Sequence, residues 1–436
     1  MIDDLPESLL LQEILSRIRN PRDVIVCKSV SKRWSSLLSS SYLHNSPSLA
    51  LILNTEPACA TNDMCLEGWK GFDLSNYVDP EFDFPIGVLA SCKDVLLCIK
   101  SSDPASYSAP GPSNPKKFYI VNPLTMQWTR LPQIYHVTAK LPIGLLRQRS
   151  KGMYYVVKMM FNTATKIVFE VFDSELGDWS GASARYRPWS QTGWCPTQFQ
   201  ALAFKGALHW LAEDGPVVAY NPNYRRTCLI KHRSQEMRHA SYGDGAVVSE
   251  TLTISRGHLR VIQLVLYPFP SGHHHLTLWT LADYKRSIWK QEHHRTYFRD
   301  MVSHLPWLQD YMRGYVRSTS TQHNMSHHLM LYLMRSDVGY HDYCPQTRER
   351  IIGLESLACH RTNPLLIYLC LPESIVALDL PTKRLLLVSK VSKSHMGSYY
   401  WNRYDKAVQM TLHLDPTPIQ QHANTLLPIP RPISYE

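Results

Sequence analysis

Short β-type runs in this chain end on Asn or Asp at nearly constant intervals. Asp73, Asn122, Asp173 and Asn221 stand 49, 51 and 48 residues apart. Asn122 closes Tyr119-Ile120-Val121-Asn122-Pro123 and precedes Trp128 and Leu131-Pro132; Asp173 closes Val171-Phe172-Asp173 and precedes Trp179. Val218-Ala219-Tyr220-Asn221-Pro222 repeats the ending. Leu278-Trp279-Thr280-Leu281, with Trp289, follows a longer step, and Val376-Ala377-Leu378-Asp379 ends 98 residues beyond Leu281. Two steps of 49 fit that gap and place a further unit at Met330-Leu331-Tyr332-Leu333. A turn Asn or Asp bonds its own backbone, and a following Pro sets the next φ. The Trp that comes after is long enough to pack between neighbouring sheets. A period of about 50, with room for four strands, is the mark of a propeller blade. Seven such anchors predict an all-β propeller of seven blades over residues 46–420. Six or eight blades are the alternatives, and a pair of β-sandwiches is the competing architecture.

The runs are short and rich in Val, Ile, Tyr and Phe. They are Ser48–Asn54, Val95–Ile99, Lys117–Val121, Met153–Met160, Lys166–Phe172, Gly206–Leu211, Val217–Tyr220, Leu259–Tyr267, His275–Trp279, Leu329–Met334, Pro364–Leu369, Ile375–Leu380 and Arg384–Val388. Long amphipathic helices are missing between them, which disfavours alternating strand and helix. Tyr404 to Leu414 is available as a closing strand. Residues 102–115, with four Pro and four Ser, read as a surface loop, and 285–328 as a long insertion or an unusual blade. The tail, 421–436, contains Leu426-Leu427-Pro428-Ile429-Pro430-Arg431-Pro432 and reads as extended polyproline II.

The first 45 residues have a different character. Asn20-Pro21-Arg22-Asp23 is a helix start: a capping Asn, a Pro in the first turn, an acid three residues on. Three short helices are expected, over about 6–18, about 21–29, and from a Ser31 cap to about 40. Leu5, Leu9, Leu10, Leu11, Ile14, Leu15, Ile18, Val24, Ile25, Cys27, Val30, Trp34, Leu37 and Leu38 are more apolar surface than one stripe per helix can bury. A unit of about 40 residues has little core of its own. The surplus either packs on the rest of the chain or is covered by a second protein in helix-on-helix docking.

This stretch resembles an F-box. The matching pieces are Leu5-Pro6-Glu7-Ser8-Leu9-Leu10, Glu13-Ile14-Leu15-Ser16-Arg17-Ile18, Asp23-Val24 and Cys27-Lys28-Ser29-Val30-Ser31-Lys32-Arg33-Trp34-Ser35-Ser36-Leu37. The Lys-Arg-Trp ending, at the start of the chain, is similar to that of plant members. The resemblance implies an F-box domain at 1–45. It implies that Leu5, Pro6, Leu9, Leu10, Ile14, Leu15, Ile18, Val24, Val30, Trp34 and Leu37 lie at or behind a Skp1-type contact, with Pro6 and Leu9 nearest the partner and Trp34 partly in internal packing. Arg19-Asn20 before Pro21 departs from the members that run straight into Pro. The region beyond resembles the kelch-like F-box-associated domains of plant F-box proteins. Residues 119–132 carry that likeness, as do Phe204-Lys205-Gly206-Ala207-Leu208-His209-Trp210 and Tyr220-Asn221-Pro222. The Gly-Gly pair of true kelch repeats is missing.

The formal net charge is +10, of which residues 1–45 carry +1, so the excess is diffuse. No Lys/Arg block of nucleic-acid type occurs. Tyr284-Lys285-Arg286 with Lys290, His293, Arg295, Tyr297 and Arg299 interleaves bases with aromatics, which can stack bases and neutralise phosphate, but reads first as ordinary propeller loop. No apolar run reaches the roughly 18 residues of a membrane span. The acidic start (Asp3, Asp4, Glu7, Glu13) is not that of a signal peptide. Ten Cys without a CxxC pair read as reduced, mostly buried thiols in a nuclear or cytoplasmic protein. Cys344, Cys359 and Cys370 are read as buried rather than as ligands.

Twenty His invite a metal reading, yet His273-His274-His275, His293-His294 and His327-His328 are adjacent residues. Neighbours on a strand point to opposite faces, so exposed turn histidines are expected and no metal or cofactor. No GxSxG, Walker loop or GxGxxG occurs. Asp173 with Glu175, and Glu213-Asp214, are acids in turns, not a carboxylate pair across a cleft.

What the two resemblances imply together is a non-catalytic adaptor. The head would bind a Skp1-like protein directly and reach Cullin-1 and a RING protein through it, as in an SCF-type E3 ubiquitin ligase. The propeller loops would hold a protein target, and the chain would contribute proximity rather than chemistry. Trp69, Trp128, Trp179, Trp194, Trp210, Trp289 and Trp401 are candidate face or inter-blade residues, with Trp194, in Gln191-Thr192-Gly193-Trp194-Cys195-Pro196, the candidate target contact. The alternative is a Skp1-binding protein with a non-ligase scaffolding or small-ligand receptor role.

Overall fold

The computed structural model describes residues 5–10, 21–42, 49–53, 64–66, 86–100, 117–122, 125, 127–132, 142–148, 153–162, 166–185, 200–212, 216–231, 247–266, 275–297, 355–360, 363–371, 374–390 and 407–411. The chain begins with three helices, as expected: α1 (Glu7–Leu9), α2 (Pro21–Val30) and α3 (Lys32–Tyr42). Leu10 keeps helical geometry after α1, and its N–H donates to the Pro6 carbonyl at 3.1 Å. Ser31 is the cap of α3: its Oγ accepts from the Trp34 N–H at 3.1 Å, the third helical position. Leu10, Trp34, Leu37 and Leu38 are buried together, with Leu5 and Cys27 against them.

The β region opens with β1 (Leu49–Leu53) and β2 (Met64–Leu66). The first blade comprises β3 (Ile86–Cys92), β4 (Val95–Lys100), β5 (Lys117–Asn122) and β6 (Gln127–Arg130). The second comprises β7 (Ile143–Arg147), β8 (Tyr154–Asn162), β9 (Lys166–Asp173) and β10 (Asp178–Arg185). The third comprises β11 (Leu202–Phe204), β12 (Ala207–Leu211), β13 (Val217–Asn221) and β14 (Arg226–Ile230). The fourth holds β15 (Val247–Ser255), β16 (His258–Leu266), β17 (His275–Asp283) and β18 (Ile288–Tyr297). The fifth holds β19 (Glu355–Cys359), β20 (Leu366–Leu371), β21 (Ser374–Asp379) and β22 (Arg384–Lys390). Each blade is an antiparallel meander in chain order. The last strand, β23 (Ala407–Thr411), pairs antiparallel with β1 in a three-stranded sheet with β2, so the closing strand falls within 404–414 as expected.

The fold is a β-propeller, and its described residues form five four-stranded blades. The expectation of seven, and the range of six to eight, is therefore corrected. Spacing counts residues, not strands. The described strands between Leu281 and Asp379 are β18–β21, one blade's worth rather than two, and the described residues before β3 contain two strands of the joining sheet. The anchor at Asp73 and the unit at 330–333 lie outside the described residues.

The remaining anchors do what a turn Asx should. Asn122 Oδ1 accepts from the Thr125 N–H at 3.3 Å, Asp173 Oδ1 from Glu175 N–H at 2.8 Å, and Asn221 Oδ1 from Tyr224 N–H at 3.2 Å. In the fourth blade the capping residue is Asp283 rather than Leu281, accepting from Lys285 and Arg286 N–H at 2.9 and 3.0 Å. In the fifth, Thr382 Oγ donates to Asp379 Oδ2 at 2.5 Å. Four residues after the anchor the backbone turns left-handed, at Gly177, Arg225, Ser287 and Lys383. That residue closes the turn from third to fourth strand.

The structure divides into two compact units, residues 1–229 with 404–436, and 230–403. In the first unit, Ala90, Leu97, Ile120, Leu145, Val156 and Phe172 join the first and second blades, and Val157, Phe169, Ala201, Leu208, Trp210 and Tyr220 the second and third. Phe169 stacks on Tyr220 at 4.2 Å between ring centroids. Trp179 behaves as its spacing predicts: it packs on Phe172, and its indole N–H reaches the Pro132 carbonyl of the preceding blade at 3.1 Å. Gly144 on β7 lies where a Cβ would come within 2.6 Å of Ala201 Cβ, so these two blades approach through a missing side chain. In the second unit, Ile262, Leu264, Leu276 and Leu278 pack with Cys359, Ile367, Leu369 and Val376.

Candidate functional site

Two places carry candidate functional side chains. The first is the helical head. Among its described residues, Leu9 (48% exposed), Val26 (55%) and Val30 (61%) are on the surface. Val26 and Val30 are four apart on α2 and share a face. Arg33 reaches across to the Leu5 carbonyl at 2.6 Å, which ties α3 to the start of α1.

The residues the sequence singled out in the head divide by position. Pro6, Leu9 and Val30 are exposed; Leu5 is half-buried; Leu10, Trp34 and Leu37 are in the core. Ile14, Leu15 and Ile18 lie outside the described residues, as does the side chain of Val24. Val26 was missed, and its i, i+4 relation to Val30 is the signal that could have found it. Trp194, the candidate target contact, also lies outside the described residues, with Trp69 and Trp401.

The second place is a cleft of about 510 Å³ on the fourth blade. Arg256, His258, Arg260 and Lys290 line it with Thr280, Ala282, Gln291 and Glu292. The sheet register sets Arg260 opposite Thr280 and Thr280 opposite Lys290, which brings three strands to one face. Arg260 is the floor. Its side chain is 3% exposed; it donates to Thr280 Oγ at 2.6 Å and to the Ser255 carbonyl at 3.4 Å, and it pairs with Glu292. Arg256-Gly257 forms the β15–β16 turn with both residues left-handed, φ 47° and 70°. Nothing in the sequence reading pointed here except Lys290.

Several other titratable groups are buried in the scaffold. His209 is wholly buried on β12, where loss of solvent pushes its imidazole down to about 4, against the Leu202 and Ala207 carbonyls that favour the charged form. Lys158 is buried opposite Glu170, 3.2 Å away, and burial lowers its pKa against that carboxylate's pull. Burial pushes the Cys359 thiol up to about 12, and the Cys92 and Cys98 thiols up as well. Cys228 is exposed. Cys344 and the Cys370 side chain lie outside the described residues. His275, read both as the start of a β-type run and as an exposed turn histidine, begins β17 and is buried, so the strand reading holds for it and the exposed-turn reading is corrected. The Asp173 carboxylate is used up in its turn. Among the described residues no group of three or more His, Cys, Asp or Glu could hold a metal, and no helix is long and apolar enough to cross a membrane.

No family model matches the chain, and no characterised protein matches it in sequence. Solved structures give weak likenesses. A Bombyx mori family GH32 β-fructofuranosidase in complex with sucrose is 13% identical, at a TM-score of 0.27 over 49% of each chain, so this chain spans about half that enzyme's length. The β-propeller domain of Cps50 (Swd1) from Myceliophteria thermophila is 11% identical, at 0.28 over 57% of this chain and 69% of that one. A family 117 glycoside hydrolase from Zobellia galactanivorans is 11% identical, at 0.25 over 48% and 68%.

Proposed function

We propose that this is a two-part binding protein, in which the helical head docks on a Skp1-type partner and the propeller recognises a second ligand, in a scaffolding or receptor role. The observation that supports it is the contrast within the head. Leu10, Trp34, Leu37 and Leu38 are already buried, yet Leu9, Val26 and Val30 remain exposed on a unit too small to need them for its own core. Burying such side chains against another helix is worth about 1.5–3 kcal/mol each. The F-box and kelch-like resemblances belong to this proposal, as does the stricter version in which Cullin-1 and a RING protein join through the Skp1-type partner and the chain acts as a ligase adaptor.

The test is capture with the full chain. A purified Skp1-type protein should bind it, and Leu9→Asp/Val30→Asp should abolish the binding while thermal unfolding stays unchanged. A chain that is folded, monodisperse and indifferent to that protein overturns the reading. Cullin-1 retained on the captured complex supports the ligase version; a Skp1-type complex that excludes Cullin-1 leaves scaffolding.

A further inference from the structure

The fourth-blade cleft has a chemistry of its own. Arg256, Arg260 and Lys290 bring three cations to it, and Glu292 one carboxylate, so the lining carries a formal +2 with His258 neutral. Glu292 does not cancel the site. It pairs with Arg260 on the floor, and with Thr280 it holds the guanidinium in one orientation, so that the planar fork is fixed before any ligand arrives. Around it stand donors of other kinds: the Lys290 ammonium, the Thr280 hydroxyl and the His258 ring. Three cations converging on one cavity suit an acceptor-rich anion, and charge narrows the choice. A lone carboxylate would leave the lining at +1, whereas a phosphate monoester carries about −1.5 to −2 at pH 7 and presents three acceptor oxygens. Volume adds a second limit. At about 510 Å³ the cleft falls within the roughly 300–1,000 Å³ of small-molecule sites and is larger than a bare phosphate needs.

The geometry points to a binding site for a phosphate monoester, which we propose is held by Arg256, Arg260 and Lys290, with the carrier group in the remainder of the cleft. This gives a chemistry to the ligand half of the proposed function, rests on that half, and is independent of docking by the head. The phosphate could be borne by a small metabolite or by a phosphorylated side chain of a protein target.

The experiment is calorimetric titration of the full chain with three probes: inorganic phosphate, a hexose 6-phosphate with the unphosphorylated hexose as control, and a phosphoserine peptide with its serine counterpart. The hexose phosphate should bind where the hexose does not. Lys290→Ala should weaken binding about tenfold, and Glu292→Gln, which removes the opposing charge while its amide oxygen still accepts from Arg260 and keeps the guanidinium oriented, should strengthen it severalfold. Thermal unfolding of both variants checks that the blade is intact, and Leu9→Asp/Val30→Asp should bind the probe as the parent does. Preference for the phosphoserine peptide over the hexose phosphate assigns the phosphate to a protein target. Absence of phosphate-dependent heat with all three probes, or unchanged affinity in Lys290→Ala, overturns the proposal.

Discussion

The helical head and the blades bury their apolar side chains by different means. Within each compact unit the sheets cover one another, and an interior strand such as β12, Ala207–Leu211, is buried at every residue. Among the described residues of the head, four side chains form the core and three large apolar ones stay outside it. A stack of sheets completes its own burial because every blade has a neighbour; three short helices have nothing of the kind within themselves. Apolar exposure therefore carries different weight in the two regions. On a blade it falls on hairpin tips and outer strands, as at Leu176, Tyr224 and Leu387, while on the head two of the three, Val26 and Val30, share a face of α2.

Five predictions test that contrast. The largest effect belongs to the cores. Trp210→Ala in the second-to-third blade cluster should cost about 3–5 kcal/mol. Trp34→Ala should cost the head a similar amount, seen as loss of helical signal at a temperature that leaves the β signal intact. A Trp34→Ala chain that melts like the parent would remove the head's core from the comparison. Next is acid. His209 has its folded pKa depressed from an ordinary 6.5 to about 4, so its contribution is whole above pH 6.5 and is lost as pH falls toward 4. The span amounts to about 3 kcal/mol, and denaturant titrations of the parent and His209→Gln between pH 4 and 7 should converge at the acid end. Smaller is the effect of Gly144→Val, which drives side-chain atoms into Ala201 and Leu208 and should cost about 1–3 kcal/mol of unfolding free energy, read from denaturant titration. Least is Val26→Ser on the head's surface, expected within about 0.5 kcal/mol of the parent while weakening capture of the docking partner.

The sequence revealed strands unevenly, and the pattern has a physical cause. The second and third strand of every blade stood out as β-type runs, because Val95–Lys100, Lys166–Asp173 or Leu366–Leu371 are apolar enough to be recognised alone. All five first strands were missed. Ile86–Cys92, Ile143–Arg147 and Glu355–Cys359 are short or interrupted by Gly, Ser and Cys, and their burial comes from neighbouring blades rather than from their own composition. The outer strand Asp178–Arg185 is polar for the opposite reason, since one side of it meets solvent. The cleft was invisible for the same reason as the first strands: Arg256, Arg260 and Lys290 meet through the pairing of β16, β17 and β18, not through spacing.

Local chemistry decided the turns, the Ser31 cap, the helical character of the head and the β character of the rest, because an Asx side chain or a capping hydroxyl acts on backbone within four residues of itself. Blade number, the partners of the inner strands, and the convergence of cations on the fourth blade were decided only in three dimensions. Each depends on which sheet lies beside which, and a residue count cannot distinguish a blade from a segment of equal length between blades.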